Sequence, residues 1–73
     1  MELRDQLYYV RQYREYNKAG IVPDVTCDED DVPYMAKAVD DDIVMFCYVC
    51  GYEFAPGVGL VNEMIKYVRE IEG

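Results

Sequence analysis

The chain has no histidine, and none of its 73 residues is serine. Nucleophilic arrangements that pair serine or cysteine with histidine are therefore excluded. A glycine-rich phosphate loop is missing too. Gly57-Val58-Gly59 is too short and runs into Leu60, with no lysine to meet a phosphate. No apolar run approaches the roughly 20 residues needed to cross a bilayer. Cysteine is scarce: three residues, an odd number that cannot pair off internally. The opening residues Met1-Glu2-Leu3-Arg4-Asp5-Gln6 are already amphipathic and lack an apolar leader core, so a reducing, cytoplasmic setting is expected.

Positive charge is nearly absent from the middle of the chain. Residues 21–55 carry nine acidic side chains and a single base, Lys37, which accounts for the whole formal net charge of −8. Such a surface repels phosphate and disfavours nucleic acid. It suits cations or a protein partner with a basic surface. Calcium of the EF-hand kind is not indicated. The acid runs Asp28–Asp31 and Asp40–Asp42 lack the alternating ligands, central glycine and distal glutamate of that loop. They read as a solvated loop and a solvated turn.

What the chain does have is apolar bulk, 52% of residues, with eight tyrosines. A length of 73 residues implies one domain, 1–73, whose thin stability margin invites a staple. Leu3, Leu7 and Val10 recur at helical spacing, and Tyr9, Tyr13 and Tyr16 form an adjoining stripe, which predicts an amphipathic helix over 2–18. Gly20 is its expected C-cap, and Pro23 blocks resumption. The tyrosine stripe reads most simply as core packing. A binding face with Arg11 and Arg14 is the alternative, since tyrosine and arginine concentrate at interface hot spots. Arg4, Arg11, Arg14 and Lys18 are expected on the remaining helix surface.

Residues 34–39 and 43–48 read as two strands around the turn Asp40-Asp41-Asp42, with a short third strand at 52–54. After Pro56-Gly57, the spacing of Leu60, Val61, Met64, Ile65, Val68 and Ile71 predicts a second amphipathic helix over 59–71. The expected fold class is thus small α+β, a β-hairpin flanked by an N-terminal and a C-terminal amphipathic helix.

Cys47 and Cys50 stand where the second strand ends. Two thiolates at this spacing can close on one metal ion, and Gly51 frees the backbone to fold back with positive φ. This is half of a tetrahedral site. A thioredoxin-like redox pair would sit at a helix N-terminus, and an iron site of four thiolates needs one more cysteine than the chain has. The remaining sulfur is Cys27, followed by Asp28, Glu29, Asp30 and Asp31.

The residues Cys27, Cys47, Cys50 and Gly51 on a hairpin scaffold, with the aromatic Tyr52 after the glycine, resemble the zinc-ribbon family over about residues 25–54. Aligned on that family's first C-x2-C knuckle, Cys27 takes the first position and Asp30 the second. Asp30 thus replaces the family's cysteine, and Asp31 stands where a glycine often follows. The resemblance implies a structural zinc ion held by Cys27, Asp30, Cys47 and Cys50. A carboxylate oxygen is an acceptable zinc ligand. Asp28, Glu29 and Asp31 are close enough in sequence to substitute.

The order of helix, lone ribbon, Pro-Gly and short helix also looks like small zinc-ribbon proteins encoded by tailed bacteriophages. That resemblance implies a host-cytoplasmic or virion location. The resulting expectation is a non-enzymatic protein–protein interaction module without a small-molecule substrate. It would dock on a larger viral or host assembly such as the transcription machinery. Two alternatives stand beside it: a minor phage virion structural protein, and an acidic DNA-mimic inhibitor.

Overall fold

The computed structural model describes residues 2–73; Met1, the first residue of the single unit expected, lies outside the described residues. Among the described residues the chain forms two helices and one three-stranded antiparallel sheet, in the order α1 (Leu3–Ala19), β1 (Met35–Val39), β2 (Asp42–Phe46), β3 (Glu53–Phe54) and α2 (Gly57–Glu72). The strand order across the sheet is β1-β2-β3. The expected α+β architecture is therefore observed.

Local chemistry explains the boundaries. The α1 helix stops because Gly20 adopts φ 78°, allowing its amide to bond the Asn17 carbonyl and the Ile21 amide to bond the Tyr16 carbonyl. This is a Schellman stop, which satisfies two carbonyls that the helix end would otherwise leave orphaned. The hairpin turn is tighter than the acid triplet suggests. Val39 pairs with Asp42, so only Asp40 and Asp41 make the loop, at φ 50° and 63°. Two successive positive-φ residues match the right-handed twist of the flanking strands, and aspartate tolerates that conformation better than most residues. Tyr48, expected in the second strand, lies instead in the turn that follows it. Tyr34, expected in the first strand, sends its amide to the Val25 carbonyl at 3.3 Å. It belongs to an earlier, smaller antiparallel bend closed by a bridge between Thr26 and Pro33. The second helix begins at Gly57, two residues before the predicted start, well within the usual latitude for helix ends.

The sheet has two unlike faces, as period-2 alternation requires. Ala36, Ile43 and Met45 point into a core with Val10 and Tyr13 of α1, Val22, and Val61, Met64, Ile65 and Val68 of α2. On the other face Lys37 bonds Glu53 at 2.7 Å and lies over the Phe46 ring. α1 packs on α2, β1 and β2.

The tyrosine stripe is core: Tyr13 is buried, and Tyr9 and Tyr16 are half-buried against the same cluster. Arg14 departs from its expected surface position. Its side chain is only 18% exposed, and its Nε is enclosed without a hydrogen-bond partner. No helix among the described residues is long and apolar enough to cross a membrane.

Candidate metal centre

Two turns carry the cysteines, and they share one backbone design. In the first, the Asp31 amide bonds the Cys27 carbonyl at 2.8 Å, and the Cys27 amide bonds the Val32 carbonyl at 2.9 Å. In the second, the Gly51 amide bonds the Cys47 carbonyl at 2.9 Å, and the Cys47 amide bonds the Tyr52 carbonyl at 2.8 Å. The fifth residue of each turn is left-handed, Asp31 at φ 55° and Gly51 at φ 82°. Asp30 is therefore the positional equivalent of Cys50, one residue before the left-handed residue.

Each turn is held from behind. The Tyr13 hydroxyl donates to the Pro23 carbonyl, and the Asn17 side-chain amide donates to the Val25 carbonyl at 3.1 Å. These two bonds pin the segment entering the first turn to α1. The second turn is positioned by β2 and β3, which pair on either side of it through Phe46 and Glu53. Sequence reading missed Asn17 and Tyr34 as supports. The one available signal was a polar Asn17 on a helix otherwise buried by apolar residues.

The two turns bring all four expected residues together. Donor atoms of Cys27, Asp30, Cys47 and Cys50 all lie within 4.8 Å of one another. The Cys27 Sγ stands 3.8 Å from the Cys50 Sγ and 3.5 Å from the Asp30 Oδ2, which is 3.3 Å from the Cys47 Sγ. The cysteines are free, and 3.8 Å is far beyond the roughly 2.05 Å of a disulfide. Cys27 and Cys47 are buried, Asp30 half-buried and Cys50 exposed. The cluster thus reaches solvent through Cys50 and, in part, through Asp30. Of the four acids in the run, Asp30 alone enters it, whereas Asp28, Glu29 and Asp31 are exposed.

Mutual proximity shifts the acid–base chemistry of the group. The neighbouring thiols, Cys50 and Cys47 ahead of Cys27, hold the Asp30 carboxyl below its usual value against partial desolvation. The Tyr52 backbone draws the Cys50 thiol down, but Cys47, loss of water, Asp30 and Cys27 outweigh it and push the thiol up to about 12. Negative charges crowded this closely favour the protonated form unless a cation joins them. Three sulfurs and one carboxylate oxygen at these separations can hold a metal ion.

The fold and site together define a small α+β protein with a Cys3Asp cluster on two matched turns. Compared with known proteins, the chain matches no family model, no curated protein and no solved structure.

Proposed function

We propose that the chain is a non-enzymatic protein-interaction module in which Cys27, Asp30, Cys47 and Cys50 hold one structural zinc ion. The observation that carries this reading is the pair of matched turns that bring four donor atoms within 4.8 Å of one another. Zinc–sulfur bonds of about 2.3 Å and a zinc–oxygen bond of about 2.0 Å imply tetrahedron edges of about 3.8 Å between sulfurs and about 3.5 Å between sulfur and oxygen. The observed 3.8 Å and 3.5 Å fit both edges, and the 3.3 Å separation falls slightly inside. Thiolate ligands suit zinc rather than magnesium or calcium, which prefer oxygen. Four protein ligands leave no coordination position for a reacting water, the pattern of a structural rather than a catalytic ion.

The partner follows from charge. With zinc bound, three thiolates and a carboxylate leave the centre at about −2 in formal charge. The surrounding segment 21–55 adds its own acids, and its one base, Lys37, is tied to Glu53. Such a field steers a basic surface toward the ribbon. A zinc-ribbon-like module that docks on a larger assembly is the function that fits.

Native mass spectrometry tests the metal. A zinc-sized mass increment, one per chain, should vanish with a strong chelator and return with zinc. A chain that never carries the increment when refolded with zinc under reducing conditions would sink the reading.

A further inference from the structure

Beside the metal cluster the surface forms a hollow of about 220 Å³ lined by Cys27, Asp28, Glu29, Tyr34, Cys50 and Tyr52. The Tyr34 and Tyr52 rings stand 6.3 Å apart between centroids, with planes tilted by 46°. Phe54 backs both, at 4.9 Å from Tyr34 and 5.9 Å from Tyr52, and fixes their orientation from the core side. Tyr52 is 55% exposed, so part of its ring meets solvent.

The charge of the hollow is one-sided. Asp28 and Glu29 make no hydrogen bond or ion pair among the described residues, and no base lines the hollow. Aromatic faces with carboxylates on the rim attract a cation that is itself partly apolar. Hydrated sodium or calcium gains little from such walls. A guanidinium gains from both, because it stacks flat on an aromatic face and forks onto carboxylates, and it sheds water more readily than an ammonium. Tyr48 and Val49, both 57% exposed on the adjoining turn, offer an apolar shoulder for whatever carries that cation.

We infer that this hollow receives an arginine side chain from a protein partner with a basic surface. The inference rests on the interaction-module reading for the partner's being a protein, and not on the identity of the metal. The arginine lies in the hollow with its guanidinium against the exposed part of the Tyr52 ring, Tyr34 forming the neighbouring wall, and its N–H groups donate to Asp28 and Glu29. Specificity comes from the planar stack, and the field of the acidic segment raises the encounter rate.

The test is a titration of isotope-labelled protein with N-acetyl-arginine amide, followed by two-dimensional NMR. N-acetyl-citrulline amide serves as the neutral isostere and N-acetyl-lysine amide as the non-planar cation. The expected result is saturable shifts confined to residues around Tyr34, Tyr52 and Cys27 with arginine, weaker binding with lysine and none with citrulline. Tyr52→Leu should weaken arginine binding about two- to fivefold, whereas Tyr52→Phe, which keeps the ring, should preserve it. Equal shifts from citrulline, equal affinity for lysine, shifts spread over the Asp40–Asp41 turn as well, or indifference to Tyr52→Leu would each overturn the proposal. Running the titration on chelator-treated and zinc-loaded samples separates the two readings. Failure to retain zinc counts against the metal assignment alone, and failure to bind arginine in both samples counts against the hollow alone.

Discussion

Replacing Asp30 addresses the most unusual element of the centre, a carboxylate on a turn built like that of a cysteine. Structural zinc binds small domains with about 10–16 kcal/mol, or ~2.5–4 kcal/mol for each of four ligands if shared evenly, equivalent to about 10² to 10³ in Kd. A water can occupy the position left by Asp30→Ala and return part of that. The expected weakening is therefore near the lower figure, about 10²-fold. Asp30→Cys should act in the opposite direction. The Asp31 and Gly51 amides make matching bonds, to Cys27 and Cys47 at 2.8 and 2.9 Å, so a sulfur at position 30 starts from the same backbone frame as Cys50.

Competition for zinc against a chromophoric chelator, with thiols kept reduced, measures all variants on one scale. Asp28→Ala and Glu29→Ala are the controls, since both side chains lie outside the cluster. The order expected is Asp30→Cys tightest, then wild type, then Asp30→Ala, with both controls at the wild-type value. Wild-type affinity in Asp30→Ala would refute the carboxylate ligand. An equal loss in Asp28→Ala or Glu29→Ala would show that the acid run supplies its ligand interchangeably and that the matched turns do not select it.

Three further outcomes are expected elsewhere in the fold. Gly51→Ala should destabilise the protein by about 1–2 kcal/mol in urea denaturation, purely as backbone strain, because φ is 82° and an added Cβ meets no atom within 4 Å. Met64→Ala, at a side chain 1% exposed among the helices and the sheet, should lower stability by about 2–5 kcal/mol, enough to unfold much of the population in so small a domain. Glu72 near the end of α2 accepts from Gln12 at 2.9 Å, Tyr16 at 2.8 Å and Tyr8 at 3.3 Å. Hydrogen bonds from Gln12 and then Tyr16 hold its carboxyl below the usual value, so its contribution is complete above the ordinary carboxylate range and fades as pH falls through the lowered value. The bond to Glu72 raises the Tyr16 hydroxyl, so that partner's contribution is complete below pH 10.0 and fades as pH rises through the raised value. Urea midpoints of wild type and Glu72→Gln should therefore differ most between these limits and converge toward both extremes.

The sequence made the elements legible and left their joints obscure. Both helices could be read because Val10 and Tyr13, or Val61, Met64, Ile65 and Val68, recur at the period a buried face demands. The hairpin is legible from β-branched and aromatic residues on either side of an acid triplet. Its register is not, because only the pairing of Val39 with Asp42 decides that two aspartates, not three, form the turn. Tyr34 stays out of the β1 ladder for a similar reason. Its amide bonds back to Val25, a choice set by the small bend around Cys27 and invisible to local propensity. The centre divides the same way. Cys47, Cys50 and Gly51 announce themselves by spacing, whereas Asp30, in a run of acids, is legible only through its alignment with a C-x2-C knuckle, and the turn that carries it brings its carboxylate 3.3 Å from the Cys47 sulfur. Arg14 could not have been foreseen as half-enclosed, since its burial comes from tertiary packing rather than from its own helix.

Chelation of the proposed zinc tests how far the centre governs the rest. Cys27 and Cys47 are buried, yet neither belongs to the apolar cluster shared by α1, α2 and the sheet. The two regions meet through Val25, Tyr34 and Phe54, which are only partly buried against that cluster. The helices therefore have a core of their own, and the proposed zinc acts on the two turns. Stripping it leaves three thiols and a carboxylate with no shared cation, and the Cys50 side is already open to water. Local opening is then less costly than global unfolding, the condition under which a protein loses structure region by region. Hydrogen exchange after chelation should accelerate at 25–34 and 47–54, while amides in the middle of α1 and α2 keep most of their protection. Uniform acceleration across both helices would refute this separation. It would mean that the apolar core cannot stand without the centre, and that zinc binding and folding of the chain are one event.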